Sequence, residues 1–420
     1  MLKMKIYKFG GASVRDAEGV RNFFKILEEI GFDNTLIVIS AMGKMTNAFE
    51  KITSSYFHKT NDLNNQLKFA ISFHRNIIEN LSFKSNTHIL NDVDAIFNEI
   101  SDFILNNTNM NYNFIYDQIV SKAELISTKI CSYYFIEKGV QNEWMDVRSC
   151  IKTNSDFRRA EVDWEETCKH IQKNINKKVL TITQGFIASD NLGNTTTLGR
   201  EGSDYTAGIF AYCLDAKDVI IFKDVAGVLN ADPRNFKKTT LLNQISFKEA
   251  IELAFYGASV IHPRTLQPLQ RKKIPLYVKS FKEPKEKGTV VCLGAPLIPK
   301  IPCFIVKKNQ ILLSLSAKDF SFIMEDDISE IFDLFHQFKL KVNLIQNSAI
   351  SFSVCIEDNF NNFNGLYEKL KLNYICLYNK NVSLYTIRHF SNDSVSEIEK
   401  GRDILVKQLS RETVQLVTRN

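Results

Sequence analysis

A lysine followed by closely spaced glycines, near the start of the chain, is the first feature that could do chemistry. Lys8 ends a β-prone segment, and Gly10, Gly11 and Ser13 follow it. Backbone N–H groups of such glycines can converge on an anion, and the lysine adds positive charge where phosphoryl transfer develops negative charge. The GxxxxGK[ST] spacing of a P-loop is absent, and by itself such a segment is more often a tight turn beside a surface lysine.

A second glycine-rich segment, TLGREGSDYTAG, combines an arginine, a hydroxyl group and a carboxylate. Arg200 is able to grip a carboxylate or a phosphate through a bidentate fork. Ser203 and Asp204 also fit a purely structural role, with Ser203 as a helix N-cap and Asp204 at the positive end of the helix. That role does not explain why a polar, glycine-rich run from 193 to 204 lies between two apolar elements. We therefore interpret the segment as part of a ligand site.

The third candidate segment is FKDVAGVLNADPR, in which Asp224, Asp232 and Arg234 follow a predicted strand. A nucleotide needs carboxylates near its magnesium ion and donors around its phosphates. An ordinary Asp-Pro turn at Asp232 explains the segment equally well.

Single polar residues elsewhere give weaker signals. Ser40 and Glu124 could bind a small polar substrate, but a strand-end serine and a solvated helical glutamate are commoner. His262 precedes a proline and is interpreted as a structural turn residue. The remaining histidines and the cysteines do not have metal-ligand spacing, and we predict no metal site made by protein ligands alone.

Strands and helices alternate along the first two thirds of the chain, which predicts an α/β sandwich on a mostly parallel sheet. Ligands of such sheets bind at the carboxyl ends of the strands, where each glycine-rich turn falls. The Asn-rich stretch from about 49 to 138 is helical in pattern and predicts an insertion that covers one end of the sheet. Periodicity predicts strands at 5–9, 35–40, 179–187, 219–222 and 276–278, and helices at 17–30, 205–214 and 247–256.

A proline-rich segment at 294–302 predicts a linker. Beyond it, 311–378 has the order βαββαβ of a ferredoxin-like unit. The remainder, with a strand at 382–390, a helix at 395–409 and a strand at 414–417, resembles an incomplete second copy. We therefore predict a catalytic domain at 1–294, a first C-terminal domain at 309–379 and a second one made of 301–308 and 380–420.

Composition narrows the class of protein. The chain has 420 residues, 44% of them hydrophobic, and a net charge of +6 in which lysines mix with acidic residues. That mixture suits small anionic substrates and gives little support for a nucleic-acid partner. The apolar runs are far shorter than the roughly 20 residues that cross a bilayer, and the N-terminus lacks a signal-like segment. We expect a cytoplasmic protein without a membrane partner, whose eight scattered cysteines are reduced.

Taken together, four segments resemble the aspartate kinases of the amino-acid kinase family. KFGGASV, TLGREGSDYTAG, KDVAGVLNADPR and YGASVIHPRTLQP stand in the order of that family. The resemblance extends over the whole chain and is weakest in the helical insertion. It implies a three-layer α/β/α sandwich followed by two ACT domains.

The resemblance also implies a role for individual residues. Lys8 would stabilise the transferring γ-phosphoryl group of ATP, and Asp204 would hold Lys8 in place. Arg200 would bind the α-carboxylate of L-aspartate and Glu124 would lie near its amino group. The other implied aspartate contacts are Ser40, Thr46, Phe186 and Ser203, and the implied nucleotide contacts are Gly10, Gly11, Ser13, Lys223, Asp224, Asp232 and Arg234.

The implied reaction is the Mg²⁺- and ATP-dependent phosphorylation of aspartate to 4-phospho-L-aspartate, the first step towards lysine, threonine and methionine. A homodimer formed through the ACT domains is implied as well. Glutamate 5-kinase and uridylate kinase activity within the same superfamily, or a catalytically silent, ACT-bearing regulatory subunit, are the alternatives.

Several positions depart from the family pattern. Lys223 replaces a common threonine, Ala226 a proline and Leu229 an aromatic residue, and Ser259 stands where a nucleotide-binding lysine is frequent. Lys223 is expected to supply the charge lost at Ser259. In the ACT segment, Met324 and Asp326 replace a serine and a glycine, and Asn343 replaces an aspartate that often holds lysine, so the allosteric effector stays open.

Overall fold

The computed structural model describes residues 3–258, 261–319 and 321–419, and it divides into two compact units. The first unit consists of Met1–Val228, Leu241–Ile251 and Val260–Leu297. The second consists of Leu229–Thr240, Glu252–Ser259 and Ile298–Asn420. Ser259, one of the positions that depart from the family pattern, lies outside the described residues.

The elements follow the predicted alternation along the first unit and give the second unit a sheet of its own. The helices are α1 (Ala17–Ile30), α2 (Met45–Phe57), α3 (Leu63–Leu81), α4 (Thr87–Asn106), α5 (Tyr112–Glu137), α6 (Trp164–Asn174), α7 (Gly202–Leu214), α8 (Phe247–Tyr256), α9 (Pro263–Lys272), α10 (Glu325–Gln337), α11 (Phe363–Asn373) and α12 (Asn392–Glu399). The strands are β1 (Lys5–Phe9), β2 (Thr35–Ile39), β3 (Asn142–Met145), β4 (Lys152–Thr153), β5 (Leu180–Gln184), β6 (Ile187–Asp190), β7 (Thr195–Thr197), β8 (Asp218–Lys223), β9 (Gln244–Ser246), β10 (Leu276–Ser280), β11 (Thr289–Cys292), β12 (Cys303–Ala317), β13 (Lys341–Asn347), β14 (Ser351–Glu357), β15 (Tyr374–Arg388), β16 (Asp403–Leu409) and β17 (Thr413–Arg419).

The main sheet of the first unit has the order β3-β5-β2-β1-β8-β10-β11-β9. Its pairs are parallel except for the antiparallel pair β10–β11, which confirms the predicted, mostly parallel sheet. Lys8 in β1 stands beside Val38 of β2 and Ile221 of β8. The carboxyl ends of these three strands therefore meet at one edge of the sheet.

Helices cover both faces of this sheet. Successive side chains of a strand point to opposite sides, so neighbouring residues of β1 contact different helices. Phe9 packs on Phe23 of α1, with ring centroids 4.4 Å apart, and stacks on Phe222 at the same separation. Its neighbour Lys8 points the other way and reaches Asp204 of α7.

The helical insertion is confirmed as α2 to α5. Helix α5 begins where the side chain of Asn111 accepts hydrogen bonds from the backbone N–H groups of Asn113 and Phe114.

One predicted strand of the first unit needs correction. The single strand at 179–187 is two strands, β5 and β6, because the chain turns at Gly185 and Phe186. A Cβ on Gly185 would lie 2.4 Å from Cβ of Ser203, and Phe186 has a left-handed φ of 70°. The polar, glycine-rich run from 193 to 204 contains β7, which pairs with β6. Pro263 is the first residue of α9.

The second unit is built on a six-stranded sheet of order β13-β14-β12-β15-β17-β16, in which the pairs are antiparallel. The long strands β12 and β15 pass through both halves of this sheet, with register shifts around Gln310. Ile331 of α10 and Leu366 of α11 pack in one buried cluster against one face of the sheet. The helix predicted at 395–409 is wrong, because α12 ends at Glu399, Gly401 has a φ of 73°, and β16 follows.

Within the described residues, no helix combines the length and the apolar character needed to cross a membrane.

Candidate active site

A cavity of about 900 Å³ opens in the first unit at the carboxyl ends of β1, β2 and β8. This is the edge at which ligands of parallel sheets bind. The described residues that line the cavity are Lys8, Ser40, Thr46, Asn113, Tyr116, Glu124, Phe157, Arg158, Arg159, Phe186, Gly199, Arg200, Glu201, Gly202, Ser203, Asp204, Lys223 and His262. Lys8, Asp204 and all six predicted aspartate contacts are among them.

Lys8 and Asp204 form a buried ion pair at the floor of the cavity. Nζ of Lys8 lies 2.6 Å from Oδ1 of Asp204, and the side chains are 10% and 3% exposed. Nζ of Lys223 lies 3.2 Å from Oδ2 of the same carboxylate. Burial alone would raise the pKa of Asp204, but the charges of Lys8 and Lys223 outweigh burial and hold the pKa below its ordinary value.

The N-terminus of α7 places Asp204. The helix begins at Gly202, so Asp204 lies in its first turn, where a negative charge is favourable. Glu201 is the N-cap residue, in a left-handed conformation with a φ of 53°. The alternative, purely structural role of Ser203 as N-cap residue is therefore wrong, because Ser203 is already inside the helix.

Glu124 is a fully buried carboxyl group on α5, not a solvated one. The residue is 3% exposed, and its Oε2 atom is buried without a hydrogen-bond partner among the described residues. Burial raises the pKa of Glu124 to about 8, against the opposing effects of a hydrogen bond from the backbone of Ala41 and the charge of Lys8. Such a group is suited to receive a cationic part of a ligand.

The first glycine turn has little free space on one side. A Cβ on Gly11 would lie 2.5 Å from the carbonyl oxygen of Ala41, so this position accepts only glycine. Ser13 is buried, and its hydroxyl group has no hydrogen-bond partner among the described residues. A Cβ on Gly10 would lie 3.4 Å from Nζ of Lys8, so this turn runs directly beside the lysine ammonium.

The predicted nucleotide contacts are distributed between the two units. Lys223 lines the cavity at the end of β8, and Asp224 follows it as an exposed residue. Asp232 and Arg234 belong to the second unit, where Nη2 of Arg234 lies 2.7 Å from Oδ2 of Asp232. Asp232 also accepts a hydrogen bond from the backbone of Arg234, as in the predicted Asp-Pro turn, and nucleotide binding by these two residues stays a prediction.

Sequence reasoning missed several residues of the cavity wall. The guanidinium of Arg158 stacks 4.3 Å from the ring centroid of Tyr116, and Arg158 has a φ of 70°, which is rare for a residue other than glycine. Asp117, next to Tyr116, is buried and accepts hydrogen bonds from the backbone of Arg158 and from Thr197. His262 was interpreted as structural; it does cap α9, but it also lines the cavity.

Comparison with known proteins agrees with this geometry. The model of the amino acid kinase family matches residues 3–280. Lysine-sensitive aspartokinase 3 of Escherichia coli is 33% identical over 358 residues, which are 83% of this chain and 77% of that protein. The bifunctional aspartokinase/homoserine dehydrogenase of Buchnera aphidicola is 34% identical over 301 residues, but the chain spans only 36% of it.

Solved structures of E. coli aspartokinase III are similar over nearly the whole chain. The complex with lysine and aspartate has a TM-score of 0.83 at 27% identity and covers 99% of this chain and 95% of that one. The complex with aspartate and ADP has a TM-score of 0.81 at 26% identity and covers 99% of this chain and 96% of that one.

The raised pKa of Glu124 predicts a specific dependence of stability on pH. The folded protein keeps a proton on Glu124 up to pH about 8, whereas the unfolded chain releases it near the ordinary value of 4.5. Folding therefore takes up a proton between these values, and the contribution of Glu124 to the free energy of unfolding falls as pH rises through this window. In Glu124→Gln this contribution is lost.

Denaturant unfolding of ligand-free wild type and Glu124→Gln, at several pH values from about 5 to about 8.5, measures the difference. We expect the free energy of unfolding of the wild type to fall relative to that of the variant by more than about 1 kcal/mol across this range. The exposed Glu18→Gln serves as a control for the loss of one surface carboxylate. A difference for Glu124→Gln that stays constant with pH would show that Glu124 is ionised in the folded protein.

Proposed function

The chain belongs to the amino acid kinase family and is an aspartate kinase, and we propose that it transfers the γ-phosphoryl group of ATP to the β-carboxylate of L-aspartate within the cavity described above. The observation that carries the proposal is the buried Lys8–Asp204 pair in the same cavity as the buried Glu124. The product is 4-phospho-L-aspartate, an intermediate of amino-acid biosynthesis.

The fold is the amino-acid kinase sandwich followed by ferredoxin-like ACT domains, as the resemblance implied. Within it, we propose a catalytic domain at 1–294, a first ACT domain at 309–379 and a second at 301–308 with 380–420. The second ACT domain takes its first strand from β12 and its remaining elements from β15, α12, β16 and β17. The passage of both β12 and β15 through the two halves of the sheet supports this division.

The chemistry requires charge neutralisation rather than a general base. The β-carboxylate of aspartate is ionised at neutral pH and is already a nucleophile, so catalysis consists of positioning and of stabilising charge on the phosphoryl group. Lys8 supplies a positive charge at that point. Asp204 holds the ammonium of Lys8 so that it need not reorganise during transfer, which is how a preorganised charge lowers a barrier.

The acceptor side of the cavity binds both ends of the amino acid. Arg200 binds the α-carboxylate, and the ionised form of Glu124 binds the ammonium group, whose arrival offsets the cost of ionising a buried carboxyl group. The other aspartate contacts are Ser40, Thr46, Phe186 and Ser203, all of which line the cavity. E. coli aspartokinase III binds aspartate, which supports this assignment.

The donor side binds ATP through the first glycine turn and the end of β8. The buried hydroxyl of Ser13 and the turn at Gly10 and Gly11 lie beside Lys8 and suit a phosphate. The other proposed nucleotide contacts in this unit are Lys223 and Asp224. E. coli aspartokinase III has been solved with ADP, which supports the use of a nucleotide.

Mg²⁺ fits this site as a companion of the nucleotide. The described residues hold no group of three or more His, Cys, Asp or Glu side chains that could bind a metal, and Asp204 is already paired with two lysines. Mg²⁺ commonly binds substrate phosphates and one or two carboxylates, and then neutralises charge on the phosphates. We therefore propose that Mg²⁺ enters with the nucleotide and is held by its phosphates, without an assigned protein ligand.

We also propose a cytoplasmic homodimer that pairs through the ACT domains. All eight cysteines are free thiols, as in a reducing compartment. Ile375 and Leu377 of β15 are 48% and 71% exposed, on the face of the sheet opposite to Tyr374 and Cys376, which pack on the helices. Sedimentation is expected to give a dimer mass, and a monomer mass at every concentration would exclude this pairing.

An acceptor comparison tests the proposed activity. Purified protein with MgATP is offered L-aspartate, L-glutamate or uridylate, ADP release is followed, and hydroxylamine traps any acyl phosphate as a hydroxamate. We expect aspartate to be at least about tenfold faster than either alternative, because a site that holds both charged ends of one acceptor rejects acceptors of other lengths.

The assay separates the alternatives. Faster turnover of glutamate or uridylate would assign the chain to another activity of the superfamily. Nucleotide binding without turnover of any acceptor would indicate a regulatory subunit. The paired charges of Lys8 and Asp204 argue against such a subunit, because a module that only binds a ligand does not need them.

A further inference from the structure

Asp117, on helix α5, is a buried carboxylate that connects three segments of the first unit. The residue is fully buried. Its Oδ2 atom accepts hydrogen bonds from the backbone N–H of Arg158, at 2.9 Å, and from the backbone N–H of Thr197, at 2.8 Å. Its Oδ1 atom accepts a third hydrogen bond, of 2.7 Å, from the hydroxyl group of Thr197. One side chain therefore joins α5 to the loop of residues 154–160 and to the last residue of β7.

The segment that follows β7 is short and leads directly to Arg200 in the cavity wall. Thr197 lies three residues before Arg200. In between, the backbone N–H of Leu198 donates to the carbonyl oxygen of Phe186, at 2.8 Å. The carbonyl oxygen of Leu198 accepts a hydrogen bond of 3.1 Å from Nη1 of Arg264. These contacts fix the middle of the segment, and Asp117 fixes its beginning.

The loop of residues 154–160 supports the same segment from the side. The backbone N–H of Ala160 donates to the carbonyl oxygen of Thr197, at 3.0 Å. Gly199 has a left-handed φ of 77°, and a Cβ at this position would lie 3.2 Å from the carbonyl oxygen of Arg158. Because Asp117 also binds the backbone of Arg158, it holds both this support and the start of the segment it supports.

We propose that Asp117 is a positioning residue for the acceptor, which holds the end of β7 so that the guanidinium of Arg200 faces the α-carboxylate of the bound amino acid. This inference rests on the proposed binding of that carboxylate by Arg200 and deepens it. Asp117 is not among the described residues that line the cavity, so it acts through Arg200 rather than by touching the substrate.

Asp190 provides a matched comparison at the other end of the hairpin of β6 and β7. It is 2% exposed, and its Oδ1 atom accepts hydrogen bonds from the backbone N–H groups of Leu192 and Asn194. Its Oδ2 atom accepts a hydrogen bond from the hydroxyl group of Ser155, in the loop of residues 154–160. The two carboxylates are thus alike in burial and in the bonds that they accept, but Asp190 lies at the turn of the hairpin and Asp117 at its opposite end.

Steady-state kinetics of Asp117→Ala test the proposal. Turnover of aspartate by the wild type is measured first, so that a failure of the proposed activity is recognised separately. With saturating MgATP, we expect the KM for aspartate to rise by about tenfold or more in the variant, the scale on which displacement of a binding group acts. Turnover at saturating aspartate is expected to stay close to that of the wild type, because the α-carboxylate is held equally before and during the transfer.

A matched variant and a conservative one control this test. Asp190→Ala is expected to lower thermal stability as Asp117→Ala does, but to leave the KM for aspartate unchanged. Asp117→Asn is expected to restore the KM, because its amide oxygen is able to accept both backbone hydrogen bonds while its amide nitrogen donates to the hydroxyl group of Thr197. If Asp117→Ala does not fold, Thr197→Val takes its place, with a smaller rise of the KM because it removes one hydrogen bond of the three.

A double variant connects the effect to Arg200. In an Arg200→Met background, Asp117→Ala is expected to cause no further loss of kcat/KM at low aspartate, because the group that Asp117 positions is gone. An unchanged KM in Asp117→Ala, an equal rise in Asp190→Ala or a further loss in the double variant would overturn the inference. An unchanged KM in Arg200→Met alone would instead refute the proposed acceptor site, and the inference with it.

Discussion

The buried contact between the ammonium of Lys8 and the carboxylate of Asp204 is the interaction on which the rest of the site depends. It joins the end of β1 to the first turn of α7 and fixes a positive charge at the sheet edge where ligands bind. The parallel register of β1 with β2 and β8 brings Ser40 and Lys223 to the same edge. A sheet with another strand order would not bring these groups into one cavity.

Glu124 shows how the same cavity distinguishes its ligands. The long helix α5 carries this carboxyl group from the helical insertion to the sheet edge, where it is buried and keeps one oxygen without a partner among the described residues. A buried carboxyl group of this kind favours its neutral form until a cation arrives. The cavity thus has permanent ammonium groups for phosphate and a carboxyl group whose ionisation depends on an amino acid being bound.

The local sequence pattern was sufficient to predict an element where a single signal, such as amphipathic spacing, dominated the segment. Helix α1 was predicted with its observed bounds from the helical spacing of its apolar residues, and the structure adds that Asp16 caps it. The hairpin of β6 and β7 was missed, since its threonines and turn residues also suit a loop, and β16 was taken for a continuation of α12. The contact of Lys8 with Asp204 could not come from periodicity at all; it followed from the family motifs. Arg158 and Tyr116 belong to no such motif, and only the folded chain brings them to the cavity.

The most direct test of this account is the turnover of Lys8→Ala with saturating MgATP and aspartate. We predict a turnover lower by about 10²- to 10³-fold, the scale on which one preorganised charge stabiliser acts, while thermal melting stays that of a folded protein. A folded Lys8→Ala protein that keeps the full turnover of the wild type would contradict the account, because the positive charge at the end of β1 would then have no part in the transfer.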